Sequence, residues 1–234
     1  MTQTDAPKKK QESLLANILL NIVIPTVILT KLSSADYLGP KWAIVVALAF
    51  PIAYGLYDFR GSRKINIFSA LGVISIFLTG GISLLELDAQ YIAIKEAAIP
   101  GIIGLATLIS TRTRFPLVKT FLYNDKVLQI EKVDAALEEY GTEKQFQKTL
   151  QNASYLVATS FFLSSALNYG LAKYLLVSPP GTEAYTAELG KMTALSFPVI
   201  AVPATMVMMG ALFYLFSNIR KLTHLDLEDI LIHQ

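Results

Sequence analysis

Apolar residues along this chain are gathered into six long runs, separated by short polar segments and by one longer polar stretch at residues 111–151. Each run is long enough, or nearly so, for a helix to cross ~30 Å of hydrocarbon at ~1.5 Å per residue. The pattern therefore predicts an all-α, polytopic membrane protein built as a bundle of six transmembrane helices. The runs are residues 14–32, 40–57, 65–85, 91–110, 152–177 and 189–216.

Composition supports this class. Of the 234 residues 53% are hydrophobic and only 16% are charged, with a mean hydropathy of +0.48. Soluble domains carry about 25% charged residues, so this chain lacks the usual polar surface. The net charge of +2 is too small to indicate nucleic-acid binding, and the absence of cysteine excludes disulfides and thiolate metal sites.

Basic residues follow an alternating pattern among the loops. They cluster before the first run, between the second and third, after the fourth and after the sixth. By the positive-inside rule, both termini and the polar connector are expected in the cytoplasm. The predicted organisation is a cytoplasmic tail over residues 1–13, a membrane domain over 14–216 and a cytoplasmic tail over 217–234.

The first run has two interpretations. The sequence Ser33-Ser34-Ala35 resembles a signal-peptide cleavage site, but the apolar stretch is longer than the usual ~7–15-residue signal core. Asn17, Asn21 and Pro25 also recur at a spacing of four, which places them on one helix face. A retained first helix is favoured, with cleavage as the alternative.

The connector, residues 111–151, contains a predicted amphipathic helix over residues 125–140. Val127, Ile130, Val133 and Leu137 form its apolar stripe, and Gly141 is expected to end it. The favoured interpretation is a cytoplasmic connector lying on the bilayer surface. A dedicated partner-binding site is the alternative.

Charged residues flank and enter the fourth run. Lys95 and Glu96 lie four or five residues before Pro100, and Glu86 and Asp88 occupy the preceding turn. A charge at membrane depth is costly and needs a partner, a cavity or the headgroups. Snorkelling or a structural ion pair is slightly favoured over binding of an anionic lipid or solute. Our specific hypothesis is a cluster of Glu86, Asp88 and Lys95 that holds the third helix to the fourth.

Amides form a second set of candidates. Asn17 and Asn21 in the first run, and Asn168 with two serines in the fifth, are placed to line a polar cavity or to bond across packed helices. Bonding between helices, or within the same helix, is the favoured interpretation.

Catalytic signatures are absent from the sequence. It has no Gly-rich phosphate loop, no HExxH pair and no GxSxG elbow, and its apolar runs supply no base for an intramembrane nucleophile. We expect a protein that is not an enzyme, with no cofactor and no metal.

The segment Thr79-Gly80-Gly81-Ile82-Ser83-Leu84, followed by Asp88, Tyr91, Ile92 and Lys95, resembles the intracellular septation protein A family of bacterial inner-membrane proteins. Ala166-Leu167-Asn168 resembles a Leu-Asn pair in a later helix of that family. Two features depart from the pattern: Glu96 stands where the family tends to have proline, and the connector is longer. A related uncharacterised proteobacterial membrane family is the alternative.

The resemblance implies a non-enzymatic protein of the bacterial inner membrane with a role in envelope maintenance or septation. Its expected partners are the lipid bilayer and other envelope or division proteins. The alternative function is a small-solute or ion transporter with a polar site between the helices. Such a site would be built around Asn17, Asn21, Lys95, Glu96 and Asn168. The full set of polar and charged candidates also includes Glu86 and Asp88.

Overall fold

The structure is a computed structural model that describes residues 18–62, 67–113, 117–123 and 128–232. This part of the chain is helical, with a single isolated bridge between Leu128 and Leu231. Its helices are α1 (Leu19–Lys31), α2 (Gly39–Ser62), α3 (Ile67–Leu84), α4 (Ala89–Ser110), α5 (Leu117–Leu122), α6 (Ile130–Glu139), α7 (Glu143–Leu175), α8 (Glu183–Thr223) and α9 (Leu227–Ile230).

Within the described ranges, three helical segments are long and apolar enough to cross a membrane. They are Gly39–Tyr57 in α2, the whole of α4, and α8. Helix α1 and the Leu71–Leu84 part of α3 are apolar but shorter. The all-α class and the membrane-spanning character predicted from the sequence are therefore confirmed in outline.

Helix α7 begins earlier than the hydrophobic pattern indicates. The predicted fifth run starts at residue 152, whereas α7 starts at Glu143 and continues without interruption to Leu175. The charged first turns belong to the predicted connector, so one helix joins the connector to the fifth run. Helix boundaries follow backbone hydrogen bonding, which does not stop where the side chains change polarity.

Two π-helical turns interrupt the helices, each just before a proline. The Ile24 N–H donates to the Leu19 carbonyl ahead of Pro25, and the Val202 N–H donates to the Phe197 carbonyl ahead of Pro203. Proline has no N–H to donate, so the residue before it closes a wider turn. Asn21 lies inside the first of these turns, which the four-residue spacing in the sequence does not predict.

The chain divides into two compact units, each made of two stretches. The first unit comprises residues 1–92 and 173–194, and the second comprises residues 93–172 and 195–234. The single membrane domain expected over residues 14–216 stays a prediction.

Close helix approach defines the packing in the first unit. A Cβ added to Gly190 of α8 would lie 2.7 Å from Thr30 and 2.9 Å from Leu29, both in α1. A Cβ on Gly80 of α3 would lie 2.9 Å from the Leu48 side chain of α2. Glycine at these positions lets the helices approach more closely than any larger residue would.

The second unit contains a hydrophobic core formed by the connector and by the ends of two long helices. This connector module consists of α5, α6, the first turns of α7, the last turns of α8, and α9. Its buried residues are Val118, Tyr123, Leu128, Val133, Leu137, Phe146, Leu150, Ala153, Val157, Ala211, Leu215, Ile219 and Ile230.

The apolar stripe of α6 faces this core. Val133 and Leu137 are almost completely buried within the protein, while Val127 lies outside the described residues. Protein side chains therefore cover this stripe, and the expectation that the connector lies on the bilayer surface stays a prediction. Hydrophobic periodicity shows that a face must be covered but does not show by what.

Gly141 ends α6 as predicted. Its φ is +64°, and the Thr142 N–H donates to the Leu137 carbonyl in the pattern of a Schellman cap. The Thr142 hydroxyl then donates to the Leu222 carbonyl at the end of α8. The turn at Gly141, predicted from the sequence as the end of α6, thus also positions the start of α7.

Within the connector module, segment 217–232 is folded onto the described part of the connector. The Gln129 N–H donates to the Ile230 carbonyl, and the Gln129 side-chain amide donates to the Leu231 carbonyl. Ile219 and Ile230 are fully buried. His224 is exposed, and its ring packs against Tyr140 with the centroids 4.7 Å apart.

Candidate functional site

In the first unit, the turn between α3 and α4 has an unusual backbone. Glu86 has a φ of +55°, the left-handed region that normally favours glycine. The Leu87 N–H donates to the Ile82 carbonyl and the Glu86 N–H to the Ser83 carbonyl, which makes Glu86 the C′ residue of a Schellman cap. A side chain in this conformation costs about 1–2 kcal/mol. Such strain persists only where the surroundings hold it.

The Glu86 side chain connects three turns of the first unit. Its carboxylate lies 2.9 Å from the Lys41 ammonium at the start of α2. The same side chain covers Gly181, where an added Cβ would lie 2.6 Å from the Glu86 carboxyl carbon. Gly181 itself has a φ of +80°. The cluster Lys41, Glu86 and Gly181 is hereafter the turn cluster.

Asp88, in the same turn as Glu86, has a different structural role. Its carboxylate accepts a hydrogen bond from the Gln90 N–H at 2.7 Å, which caps the first turn of α4. An acid at a helix start also interacts favourably with the helix dipole. Asp88 is therefore explained by the local structure of α4.

A second carboxylate orders the loop between α7 and α8. Glu188 accepts hydrogen bonds from the backbone N–H groups of Val177 and Ser178, each at 3.0 Å, and from the Ser178 hydroxyl at 2.6 Å. One turn earlier on α8, Tyr185 is fully buried. The hydroxyls of Tyr185 and Ser83 are buried near one another without hydrogen-bond geometry to any group in the described chain.

In the second unit, Lys95 and Glu96 form an ion pair inside a membrane-spanning candidate. The Lys95 ammonium lies 2.6 Å from the Glu96 carboxylate, and the two side chains are only 6% and 26% exposed. Both belong to α4, whose whole length is apolar enough to span a membrane. An ionisable pair at such a place is a default candidate for function.

Helix α7 packs closely on α4 next to this pair. The Ser165 hydroxyl donates to the Ala97 carbonyl at 2.7 Å, and a Cβ on Gly101 would lie 3.1 Å from the Ser165 oxygen. Pro100 leaves the Glu96 carbonyl without its usual helical donor. The sequence pointed to the serines near Asn168 as possible bonding partners, but only the fold joins Ser165 to Ala97.

The three asparagine candidates, Asn17, Asn21 and Asn168, differ in position. The Asn168 amide donates to the Ser164 carbonyl of its own helix at 2.8 Å, which supports the structural interpretation. Asn21 is half-buried in α1. Asn17 lies outside the described residues.

The hypothesis of one cluster containing Glu86, Asp88 and Lys95 stays a prediction, and the contacts within each unit are the following. Glu86 pairs with Lys41, Asp88 caps α4, and Lys95 pairs with Glu96. The sequence hypothesis overlooked Lys41 because it lies 45 positions before Glu86. It overlooked the Lys95–Glu96 pair because adjacent residues on a helix point in different directions.

The connector module contains one further polar pair. The Tyr123 hydroxyl donates to the Asp134 carboxylate at 2.6 Å. Burial, followed by this hydrogen bond and the Asp134 charge, raises the pKa of Tyr123 well above its ordinary value. Among the described residues, no three His, Cys, Asp or Glu side chains are grouped so as to hold a metal ion.

No family model matches this chain, and neither a curated protein nor a solved structure resembles it significantly. The resemblance to the septation protein A family stays a prediction. Three groups of the described residues are candidates for function: the turn cluster, the Lys95–Glu96 pair and the connector module.

Proposed function

We propose that this protein is a six-span protein of the bacterial inner membrane, with both termini in the cytoplasm, that acts without catalysis as an interaction partner in envelope maintenance or septation. The alternating basic loops support this orientation. The envelope role rests on the sequence resemblance. The partner-binding element would be the connector module.

The observation that carries this proposal is the hydrophobic core of the connector module. A connector that only links two spans has no need of a core of its own, yet Leu128, Val133 and Leu137 are almost completely buried. Hydrogen bonds from Gln129 and Thr142 tie this core to the last segment of the chain. A rigid, charged surface held beside the membrane is suited to protein binding.

Reporter fusions test the topology. Fusions at Ser34, Ser62, Asp88, Tyr140, Gly181 and Gln234 sample each loop and the end of the chain. We expect cytoplasmic signals at Ser62, Tyr140 and Gln234 and periplasmic signals at the other three. A periplasmic signal at Tyr140 would overturn the proposed orientation.

Site-specific photo-crosslinking tests the partner-binding role. A photoreactive residue at exposed Glu138 of α6 should capture a division or peptidoglycan-synthesis protein in cells, whereas one at exposed Leu195 of α8 should capture none. Leu137→Ala, which leaves a cavity in the core under Glu138, should reduce the capture. Equal capture from both positions, or unchanged capture by the cavity variant, would count against the role of the module.

The second candidate function is transport of a small solute or ion, and the Lys95–Glu96 pair favours it. Transporters place such groups at depth to bind or couple ions. Flux into proteoliposomes that depends on a substrate and is lost in Lys95→Met would replace the interaction role as the primary function. Flux that survives the substitution would not involve this pair.

A further inference from the structure

A cavity of about 280 Å³ lies at the end of α8 in the second unit. It is lined by Ser217, Arg220, Lys221, His224, Leu225 and Asp226. One water molecule occupies about 30 Å³ of liquid volume, so the cavity has room for a phosphate group and the atoms next to it. We call these six residues the α8 pocket.

Positive charge dominates the α8 pocket. Arg220 and Lys221 are basic, and Asp226 is the one carboxylate among the six lining residues. The Arg220 guanidinium contacts Asp226 through one nitrogen at 3.2 Å, which leaves other donors of its planar fork for a ligand. The pocket therefore combines net positive charge with the group best suited to phosphate oxygens.

The geometry of the pocket is fixed by its neighbours. His224 has a φ of +56° and ends α8, and its ring packs edge-on against Tyr140 of the connector module. The Thr223 hydroxyl is bonded back to the Ile219 carbonyl. The basic side chains thus project from a backbone that is already ordered.

An exposed apolar stripe leads along α8 to this pocket. Met206, Met209 and Phe213 are 68%, 63% and 76% exposed, which is the normal state of a surface that lipid covers. At spacings of three and four, the same helix face continues through Ser217 and Arg220. Arg220 is two helical turns, or ~10.5 Å, beyond Phe213.

We propose that the α8 pocket binds the phosphate headgroup of an anionic phospholipid whose acyl chains lie along Met206, Met209 and Phe213. Basic pockets at the cytoplasmic boundary of membrane proteins suit such headgroups. The inference rests on the proposed function, because that places the end of α8 at the cytoplasmic leaflet. The competing explanation is that Arg220 and Lys221 only balance the negative end of the helix dipole.

Binding is measured on the full-length protein purified in a neutral detergent, by native mass spectrometry with added phosphatidylglycerol or phosphatidylcholine. We expect a clear preference for phosphatidylglycerol. Arg220→Gln/Lys221→Gln should weaken that binding about 25-fold, since each basic residue near an anionic headgroup contributes about fivefold. Arg220→Lys/Lys221→Arg should retain it, which separates charge loss from misfolding.

The matched control removes the same charge elsewhere in the second unit. Lys144 and Lys148 are exposed on the first turns of α7 and do not line the pocket. Lys144→Gln/Lys148→Gln should change the affinity by less than twofold. An equal loss in both double variants would reduce the effect to general electrostatic attraction and overturn the specific site.

Asp226→Asn distinguishes ligand binding from a purely structural role. Removing the carboxylate frees Arg220 and raises the net positive charge, so phosphatidylglycerol affinity should rise severalfold. Asparagine keeps the preference for the N-cap position that Asp226 holds before α9. Unchanged or weaker binding would contradict the proposal.

A third arm separates a lipid headgroup from free phosphate. Inorganic phosphate at matched ionic strength should compete only weakly, because it lacks the acyl chains that contact α8. Binding of inorganic phosphate together with no preference among the lipids would overturn the lipid assignment. If the protein shows no preference for phosphatidylglycerol while the Gln234 fusion reports a cytoplasmic position, the lipid-binding inference alone fails. A periplasmic signal from the Gln234 fusion refutes the proposed orientation instead.

Discussion

Two of the Lys–Glu ion pairs in the described part of the chain have the same chemistry but opposite surroundings. In the turn cluster, the Lys41 and Glu86 side chains are 64% and 46% exposed. In α4, the Lys95 and Glu96 side chains are 6% and 26% exposed. An exposed ion pair adds little free energy of stabilisation, because each charge gives up contacts with water when it forms. In a buried pair the charges have already lost their water, so each charge depends on its partner.

The comparison shows that contact distance alone says little about importance. The two pairs differ in length by only 0.3 Å, from 2.9 to 2.6 Å. What differs is the medium around each charge.

Breaking the buried pair should have the largest effect. Lys95→Met leaves the Glu96 carboxylate without its ammonium, and removal of one partner from a buried pair costs about 3–5 kcal/mol. The free energy of unfolding in detergent measures the loss. The double variant Lys95→Met/Glu96→Gln should recover most of it, because no charge is then left buried. If Lys95→Met is as stable as the parent, Lys95 is solvated at the headgroups and the contrast disappears.

Backbone geometry should matter more than the ion pair in the turn cluster. Gly181→Ala must hold an alanine at a φ of +80° and displace the Glu86 side chain, at a cost of about 1–2 kcal/mol for the conformation alone. Gly55→Ala is the control, since nothing lies within 4 Å of its added Cβ and alanine favours a helix. Thermal unfolding of both variants tests the difference. Similar midpoints would show that the Gly181 turn relaxes freely.

Ionisation of Tyr123, which pairs with Asp134, should have an effect of intermediate size on stability. Because the folded state raises the pKa of Tyr123, it binds the phenol proton more tightly than the unfolded state, whose pKa is ~10. The stabilisation that the protonated Tyr123 contributes is complete below pH ~10. Above that pH the free energy of unfolding falls by at most about 1.4 kcal/mol per pH unit.

Unfolding free energies between pH 8 and 11 measure this slope. Tyr123→Phe should flatten it, whereas Tyr174→Phe, at an exposed position, should leave it as in the parent. A slope that Tyr123→Phe does not alter would mean that the connector module opens to water before the phenol ionises.

Breaking the exposed pair should have the smallest effect. Lys41→Met removes the ammonium next to Glu86, and exposed pairs contribute about 0–1 kcal/mol. Stability should change by no more than that, and the change should diminish in high salt because solvent ions screen exposed charges. A loss as large as that of Lys95→Met would show that the turn cluster is shielded from water in the assembled protein.

Several features could be read from the sequence because local chemistry determines them. Long runs of apolar residues predict membrane-spanning helices, since a backbone away from water must satisfy its own hydrogen bonds. Gly141 was recognised as a helix end because glycine alone adopts a positive φ without strain.

Other features depended on residues far apart in the chain, and only the tertiary structure decided them. The periodicity of Val133 and Leu137 indicates an apolar helix face that must be shielded from water. Protein shields it, because Ile219 and Ile230 pack in the same core. The charge on Glu86 required a partner, but the partner is Lys41 because α2 starts beside the turn. The physical reason is common to both cases. A sequence pattern fixes what a side chain needs, namely burial or an opposite charge, whereas the chain's path fixes which residue supplies it.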